Sequence, residues 1–399
     1  MSEIDRFDNC VSGNAARRVL FNDSLARLRG WLEANRYAGI EPHDAITSPI
    51  LSRTPLGRSP FLRLAALQGL RRFPLNIRAF LGIRPDVNTV SLGWALRGYA
   101  LIGDAESEGR IGECLEGIYG AIIGGYSGAC WGYYFPWQTR ADYKPPYLPN
   151  IVSTAFVGQG LLDIYQKRGD EKALRIARSA CDFILRDLHR GGDAGSLCFS
   201  YTPTDDHQVY NASILGAHLL ARVGAITGER ELTDTARAAV AFVVDHQQED
   251  GSWRYGVGDF YTFIDNFHTG YVLMSLRGYM ESVGEREFDG ALRRGEEFYR
   301  RSFFLNGAIP KYYHNRLFPI DAHAATQAII TLLDCGDGEG ACRVAEWTIR
   351  NMQAGEGYFI YQIHRRYRNA IPYLRWANAW MLYALARLTS AEYLQNAEN

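Results

Sequence analysis

From residue 150 onward, apolar positions recur at intervals of three and four in long blocks, each ended by a glycine or a short polar break. Within 229–247, Ala239, Phe242, Val243 and His246 share one face of a 3.6-residue period, which predicts a helix. The same spacing predicts helices over 151–167, 171–188, 209–224, 267–282, 286–303, 322–334, 339–353 and 373–389. Short aromatic stretches at 198–201, 253–255, 309–313 and 358–361 follow alternate helices and predict short strands. Glycine-bearing turns (Gly191, Gly192 and Gly195; Asp250-Gly251; Asn306-Gly307) introduce them.

Each cycle therefore runs helix, short loop, helix, glycine turn, aromatic strand, long loop. Short loops join antiparallel neighbours, and the long loops collect polar residues at one end. Residues 14–35 and 89–123 read as earlier, more degenerate helices of the same array. The expectation is an all-α fold, an (α/α)6 toroid of helical hairpins with short β-strands in the loops, spanning 1–399 as one domain. A repeat closed on itself accounts for such length in one domain, because each hairpin needs its neighbours to bury its apolar face.

One segment is used twice. Gln247, Gly251 and Trp253 repeat as Gln353, Gly357 and Phe359, a glutamine, three residues, a glycine, one residue and an aromatic. The pair marks the phase of the repeat. Residues 37–88 break the rule. Prolines 42, 49, 55, 60, 74 and 85 punctuate them, and seven arginines from Arg53 to Arg84 occur without an acidic residue. Residues 61–72 read as a basic amphipathic helix. It either touches an anionic membrane or lipid-pyrophosphate surface through 53–84, or packs with its arginine face in water, the plainer and preferred reading.

Composition narrows the function classes. Apolar residues make up 47% and charged residues 22% of 399, an ordinary globular balance, while 24 Tyr and 8 Trp make the chain rich in aromatics. A net charge of −1 from 43 basic and 44 acidic residues argues against nucleic acid as a partner. Seven scattered cysteines form no Cys-x-x-Cys pair, so buried reduced thiols are expected. The first six residues lack the basic-then-apolar pattern of a signal peptide, and no apolar run reaches 18 residues. A cytoplasmic protein is expected, peripheral to the inner membrane if 53–84 docks there.

Candidate chemistry follows from the toroid. The polar residues that open successive helices converge on its mouth: Asp206, His207, Tyr210 and Asn211; Asp265 and His268; Asp321 and His323; Arg375 and Trp376. Asp is a preferred helix cap, but capping does not require the histidine that follows each one. Asp206, Asp265 and Asp321 with His207, His268 and His323 are therefore the acid–base candidates. Trp131, Tyr134, Trp137, Tyr255, Tyr361 and Trp376 offer flat faces for sugar rings or carbocations. Arg140, Lys144, Lys311, Arg365 and Arg375 suit a carboxylate or phosphate. No dinucleotide, P-loop, nucleophile-elbow or zinc-protease motif occurs, so neither cofactor nor metal is expected.

The Gln247–Gly251–Trp253 pattern resembles the QW repeat of squalene and related triterpene cyclases. It also resembles turns of α/α-toroid uronic-acid epimerases, glucuronyl hydrolases and polysaccharide lyases. Residues 39–46, 130–140 and 149–165 look like bacterial polysaccharide-biosynthesis proteins of the VpsJ type. That resemblance implies work on a cell-surface glycan or a lipid-linked oligosaccharide, and it supplies no catalytic residues. The expected activity is carbohydrate-active, on an anionic glycan, by Asp/His acid–base chemistry as epimerase, lyase or hydrolase. The alternatives are an isoprenoid cyclase relative, against which the missing Asp-x-Asp-Asp counts, and a non-catalytic glycan-binding scaffold.

Overall fold

The structure is a computed structural model that describes residues 13–54, 57, 59–140, 142–193 and 195–390. The N-terminal reading, Cys10, Pro55 and Arg58 lie outside the described residues. Fourteen helices are described: α1 Asn14–Ala34, α2 Pro49–Ser52, α3 Pro60–Arg72, α4 Thr89–Ile102, α5 Ala105–Gly120, α6 Ile151–Arg168, α7 Glu171–Arg186, α8 Tyr210–Thr227, α9 Arg230–Asp245, α10 Asn266–Val283, α11 Asp289–Ser302, α12 Ala322–Asp334, α13 Gly338–Met352 and α14 Ala379–Ser390.

The even-numbered helices from α4 to α14 pack side by side, and α14 returns to α4, closing an inner ring. Helices α5, α7, α9, α11 and α13 each pack outside the inner helix that precedes them. The sixth outer position is filled by α1, which packs on α14 and α13. The first and last described helices thus form one hairpin, and the fold is the expected all-α toroid.

Sequence explains which helix goes where. Inner helices meet neighbours on several sides and are buried around most of their circumference, as in α6, α8 and α12. Outer helices bury one stripe, such as Ala173, Ala177, Ala180 and Ile184 in α7. Asn88, Asn150, Asp265 and Asp321 cap the starts of α4, α6, α10 and α12 with side-chain oxygens. Those starts face the long loops. Trp94, Phe156, Tyr271 and Trp380 plug the ring's centre, with Trp94 and Trp380 rings 4.6 Å apart.

The strands are short antiparallel pairs, plus one group of three in which Gln362 pairs with Asp321 and Asn369. Residues 253–255 are extended loop rather than strand, and the strand expected over 358–361 forms one step later at Gln362–Ile363. Both repeated turns are joints between hairpins. Gln247 Nε2 donates to Gly251 O at 3.0 Å and to Ala291 O of α11 at 2.9 Å. Gln353 Nε2 donates to Gly357 O at 2.9 Å and to Ser24 O of α1 at 3.1 Å.

Residues 37–88 lie across the long-loop end. Ala38–Gly39 pairs with Asp86–Val87 and ties the segment's two ends together. Leu67 and Leu70 of α3 pack with Ala45 and Ile83 in a small separate core. The arginines are not one solvated face: Arg78 is buried with Asp44 at 2.8 Å, Arg63 lies over the Tyr143 ring, and Arg71 turns inward. Arg53, Arg72 and Arg84 are exposed, as are Phe61, Leu75 and Phe80. No helix among the described residues is long and apolar enough to cross a membrane. The six described cysteines are free thiols, five of them buried.

Candidate acid–base recess

Three of the inner-helix starts, on α10, α12 and α14, bring their polar residues together beneath the 37–88 segment. Asp265, the cap of α10, is 2% exposed and uses both oxygens on one neighbour. Oδ1 accepts the His268 backbone N–H at 2.9 Å, and Oδ2 lies 2.7 Å from His268 Nδ1. A carboxylate only accepts, so Nδ1 carries the hydrogen and Nε2 presents a lone pair. No described residue hydrogen-bonds that Nε2, and the imidazole is 22% exposed. An oriented, half-open histidine backed by a buried carboxylate is a general-base arrangement.

His323 lies across the Phe267 ring from it, the two imidazoles 4.1 and 4.9 Å from that ring. His323 Nε2 meets the Tyr271 hydroxyl at 2.5 Å. Burial, with the Arg375 charge beside it, holds its pKa well below the ordinary histidine value. Burial pushes the Tyr271 hydroxyl well above its own. At neutral pH the pair is therefore a neutral imidazole and a neutral phenol.

Asp321, the cap of α12, is 0% exposed. It accepts from the N–H groups of His323 and Ala324 and from Gln362 Nε2 at 2.6 Å. Burial raises its pKa to about 6 despite those donors. Its oxygens face protein, so it positions the His323 turn.

The turn before α14 widens to π-helical geometry over Leu374–Asn378 and projects Arg375 and Trp376. Arg375 Nε pairs with Glu41 of the overlying segment at 2.7 Å, and its guanidinium stacks over Tyr133 at 4.9 Å. Trp376 stands between His43 and His323, ring centroids 5.6 and 4.9 Å away. His43, Arg71, Tyr201, Tyr255 and Trp376 are enclosed by neighbouring residues yet keep accessible surface, which marks a concave recess.

The remaining sequence candidates divide. Tyr255 lies on the recess wall beside His268 at 4.7 Å, and Trp137 packs against Tyr201. Asn211 is buried near His268, and the Tyr361 hydroxyl accepts from Arg71. Tyr134 donates its hydroxyl to Gly39 O and braces the overlying segment. Asp206 is exposed, and Asp205 takes the buried position, bound to Lys144 Nζ at 2.7 Å. His207 lies toward the rim, 3.2 Å from Asp142. Trp131 is a joint residue donating to Ile118 O, and Tyr210 packs on Phe242 and His246. Lys311 donates to His314 O, Arg365 is exposed, and Arg140 lies over Phe260.

Sequence reading did not single out Glu41, His43, Arg71 or Tyr271 as site residues. Tyr271 alone had a local cue, since it lies one helical turn after His268. Among the described residues no cluster of three or more His, Cys, Asp or Glu could hold a metal ion.

Fold and recess together define an α/α toroid whose long-loop end carries a candidate histidine recess lined by aromatic rings. Solved structures share that fold. The GH76 α-mannanase of Bacteroides thetaiotaomicron superposes with a TM-score of 0.60 at 13% identity, over 77% of this chain and 86% of that one. Cellobiose 2-epimerase from Bacillus thermoamylovorans gives 0.61 at 9% identity, over 78% and 88%. An unsaturated glucuronyl hydrolase specific for heparin gives 0.61 at 13% identity, over 94% and 97%. No family model and no curated protein matches the chain. At these identities the likeness is one of fold.

Proposed function

We propose that this chain is a carbohydrate-active enzyme of bacterial cell-surface polysaccharide metabolism that moves protons at a sugar ring, as an epimerase or lyase. The carrying observation is the Asp265–His268 pair, whose Nε2 has no hydrogen-bond partner among the described residues and which lies across the Phe267 ring from the His323–Tyr271 pair. His268 takes a proton from a carbon next to a carbonyl or carboxylate, and the electron pair moves onto that oxygen. Return of a proton to the opposite face gives the epimer. Departure of a leaving group from the next carbon gives the unsaturated product instead. Tyr271, hydrogen-bonded to His323, is the proton donor of the second step.

Three considerations support this reading over the others. A two-carboxylate hydrolysis needs a pair of carboxyl groups flanking the bond. Here Asp321 is enclosed in protein, Asp206 is exposed, and Asp265 is committed to His268. Arg375, Glu41, Arg71 and His43 are out of place in a cavity for a hydrocarbon cation. The neighbours sharing the fold are named for sugar chemistry, and the resemblance at 39–46, 130–140 and 149–165 supplies the surface-polysaccharide setting.

The test is incubation in deuterated water with reducing and uronate-containing oligosaccharides, followed by NMR. Deuterium incorporation at a ring carbon for an epimerase, or an unsaturated product for a lyase, abolished by His268→Ala and cut about 10²-fold or more by Asp265→Asn, is expected. Cleavage to saturated products without incorporation, or incorporation or unsaturated product that survives His268→Ala, refutes it.

A further inference from the structure

Arg71 stands apart from the other enclosed arginines. Arg17 has Glu339 at 2.7 Å, Arg78 has Asp44 at 2.8 Å, Arg97 has Asp163 at 2.7 Å, and Arg375 has Glu41 at 2.7 Å. Arg71 has no carboxylate within 4.0 Å among the described residues, although α3 sends it into the recess. Its Nε donates to the Tyr361 hydroxyl at 2.8 Å. Its two terminal nitrogens have only long contacts, to His43 Nε2 and the Tyr312 hydroxyl, each at 3.5 Å. His43 brings no compensating negative charge, since burial and the arginines around it keep it neutral. Asp321 attracts Arg71 from a greater distance, with its own oxygens spent on Gln362 and the α12 backbone.

An enclosed guanidinium whose outward fork is unneutralised is costly unless an anion completes it, and the fork matches a carboxylate or phosphate in two parallel bonds. We propose that Arg71 is the anion-recognition residue of the recess, pairing through its terminal nitrogens with a carboxylate or phosphate carried by the saccharide substrate. The inference rests on the reading of the recess as the substrate site, and it makes that substrate an acidic sugar or a sugar phosphate. Trp376 lies between this subsite and His323, placing an aromatic face where the ring spans from the anion to the acid–base groups. Residues 37–88 then have a reason to cross the mouth: they carry the charge that selects the substrate.

Calorimetric titration tests it with three probes: a glucuronate or galacturonate oligosaccharide, its neutral glucose or galactose counterpart, and the matching sugar 1-phosphate. The wild type is expected to bind at least one anionic probe roughly 10-fold or more tighter than the neutral one. Which anion gains identifies carboxylate or phosphate. Arg71→Met is expected to remove that preference while melting at the same temperature as the wild type or higher, because it deletes an uncompensated charge. Arg71→Lys is expected to keep part of it. If neither anion outbinds the neutral sugar, or if Arg71→Met lowers the melting temperature and weakens all three probes alike, Arg71 is a brace for the segment and the proposal falls. His268→Ala separates the two readings, since it stops proton exchange and leaves the anion preference of this subsite intact.

Discussion

At the scale of single residues, the recess holds acidic groups in opposite circumstances. Asp265 serves a half-open histidine, whereas Asp321 has no exposed surface. Burial raises the Asp321 pKa to about 6 from an ordinary 3.8, so the folded chain holds this proton more tightly than the unfolded one. Stability from this group is complete below about pH 4 and is lost as pH rises through about 6. The full shift corresponds to about 3 kcal/mol, an upper figure before local relaxation. Asp321→Asn removes the dependence and keeps one oxygen for the α12 cap. The melting temperature of that variant should therefore improve relative to wild type between pH 4 and 6.5 and then run parallel. Parallel curves throughout would show that Asp321 is not the group titrating. The sequence located these acids through helix-start logic but gave no means to rank them. Choosing Asp205 over Asp206 needed the position of Lys144, which is distant in the chain and reaches Asp205 but not Asp206. Arg71 was visible only as one of seven arginines in an acid-free stretch, and its inward turn depends on Tyr361 and Tyr312 from two later repeats.

At the scale of elements, the repeated glutamine–glycine turn is the clearest case in which a sequence pattern has one physical meaning. Each glutamine binds its own turn and the outer helix of the following hairpin, so one side chain sets both turn shape and hairpin spacing. The glycines are required twice over. Gly251 and Gly357 adopt φ of 90° and 102°, and a Cβ would fall 2.3 and 2.4 Å from the Arg294 and Arg27 carbonyl oxygens. Gln247→Ala should cost about 1–3 kcal/mol, chiefly for the two Nε2 hydrogen bonds, the exposed bond from Arg294 to Oε1 being lost as well. Gly251→Ala should cost more, because backbone strain adds to the displacement of α11. Urea unfolding midpoints check the order, and a Gly251→Ala loss smaller than that of Gln247→Ala would contradict it. The helices and their phase were legible for the same reason as this turn: they follow from local periodicity. The strands were less so, since two-residue pairs carry too little pattern to fix their limits.

At the scale of the whole molecule, the ring has one seam without chain continuity. Helices α4 to α13 follow one another, but the sixth hairpin joins α14 to α1, and no loop holds that pair. The sequence showed 14–35 as a helix of the array without showing its partner, because the pairing is nonlocal. Side chains replace the missing loop. Arg17 of α1 is 2% exposed and reaches two glutamates of α13, Glu339 at 2.7 Å and Glu346 at 3.2 Å. Gln353 then binds Ser24 O at the middle of α1. Elsewhere the outer wall uses exposed pairs between neighbours, such as Arg237 with Glu287 at 2.5 Å, where the chain already holds the helices together. Two variants separate these situations. Arg17→Ala takes an arginine away from the buried Glu346, which keeps its in-helix pair with Arg350, and should cost about 3 kcal/mol. Arg237→Ala removes a solvent-exposed pair and should cost less than about 1 kcal/mol. Chemical denaturation of both measures the contrast. Equal losses would mean that the seam is held by apolar packing of α1 on α14, with Arg17 no more important than any surface arginine. A larger Arg17 loss, with α1 protease-sensitive while the rest resists, would locate the ring's weakest joint where α1 packs on α13 and α14.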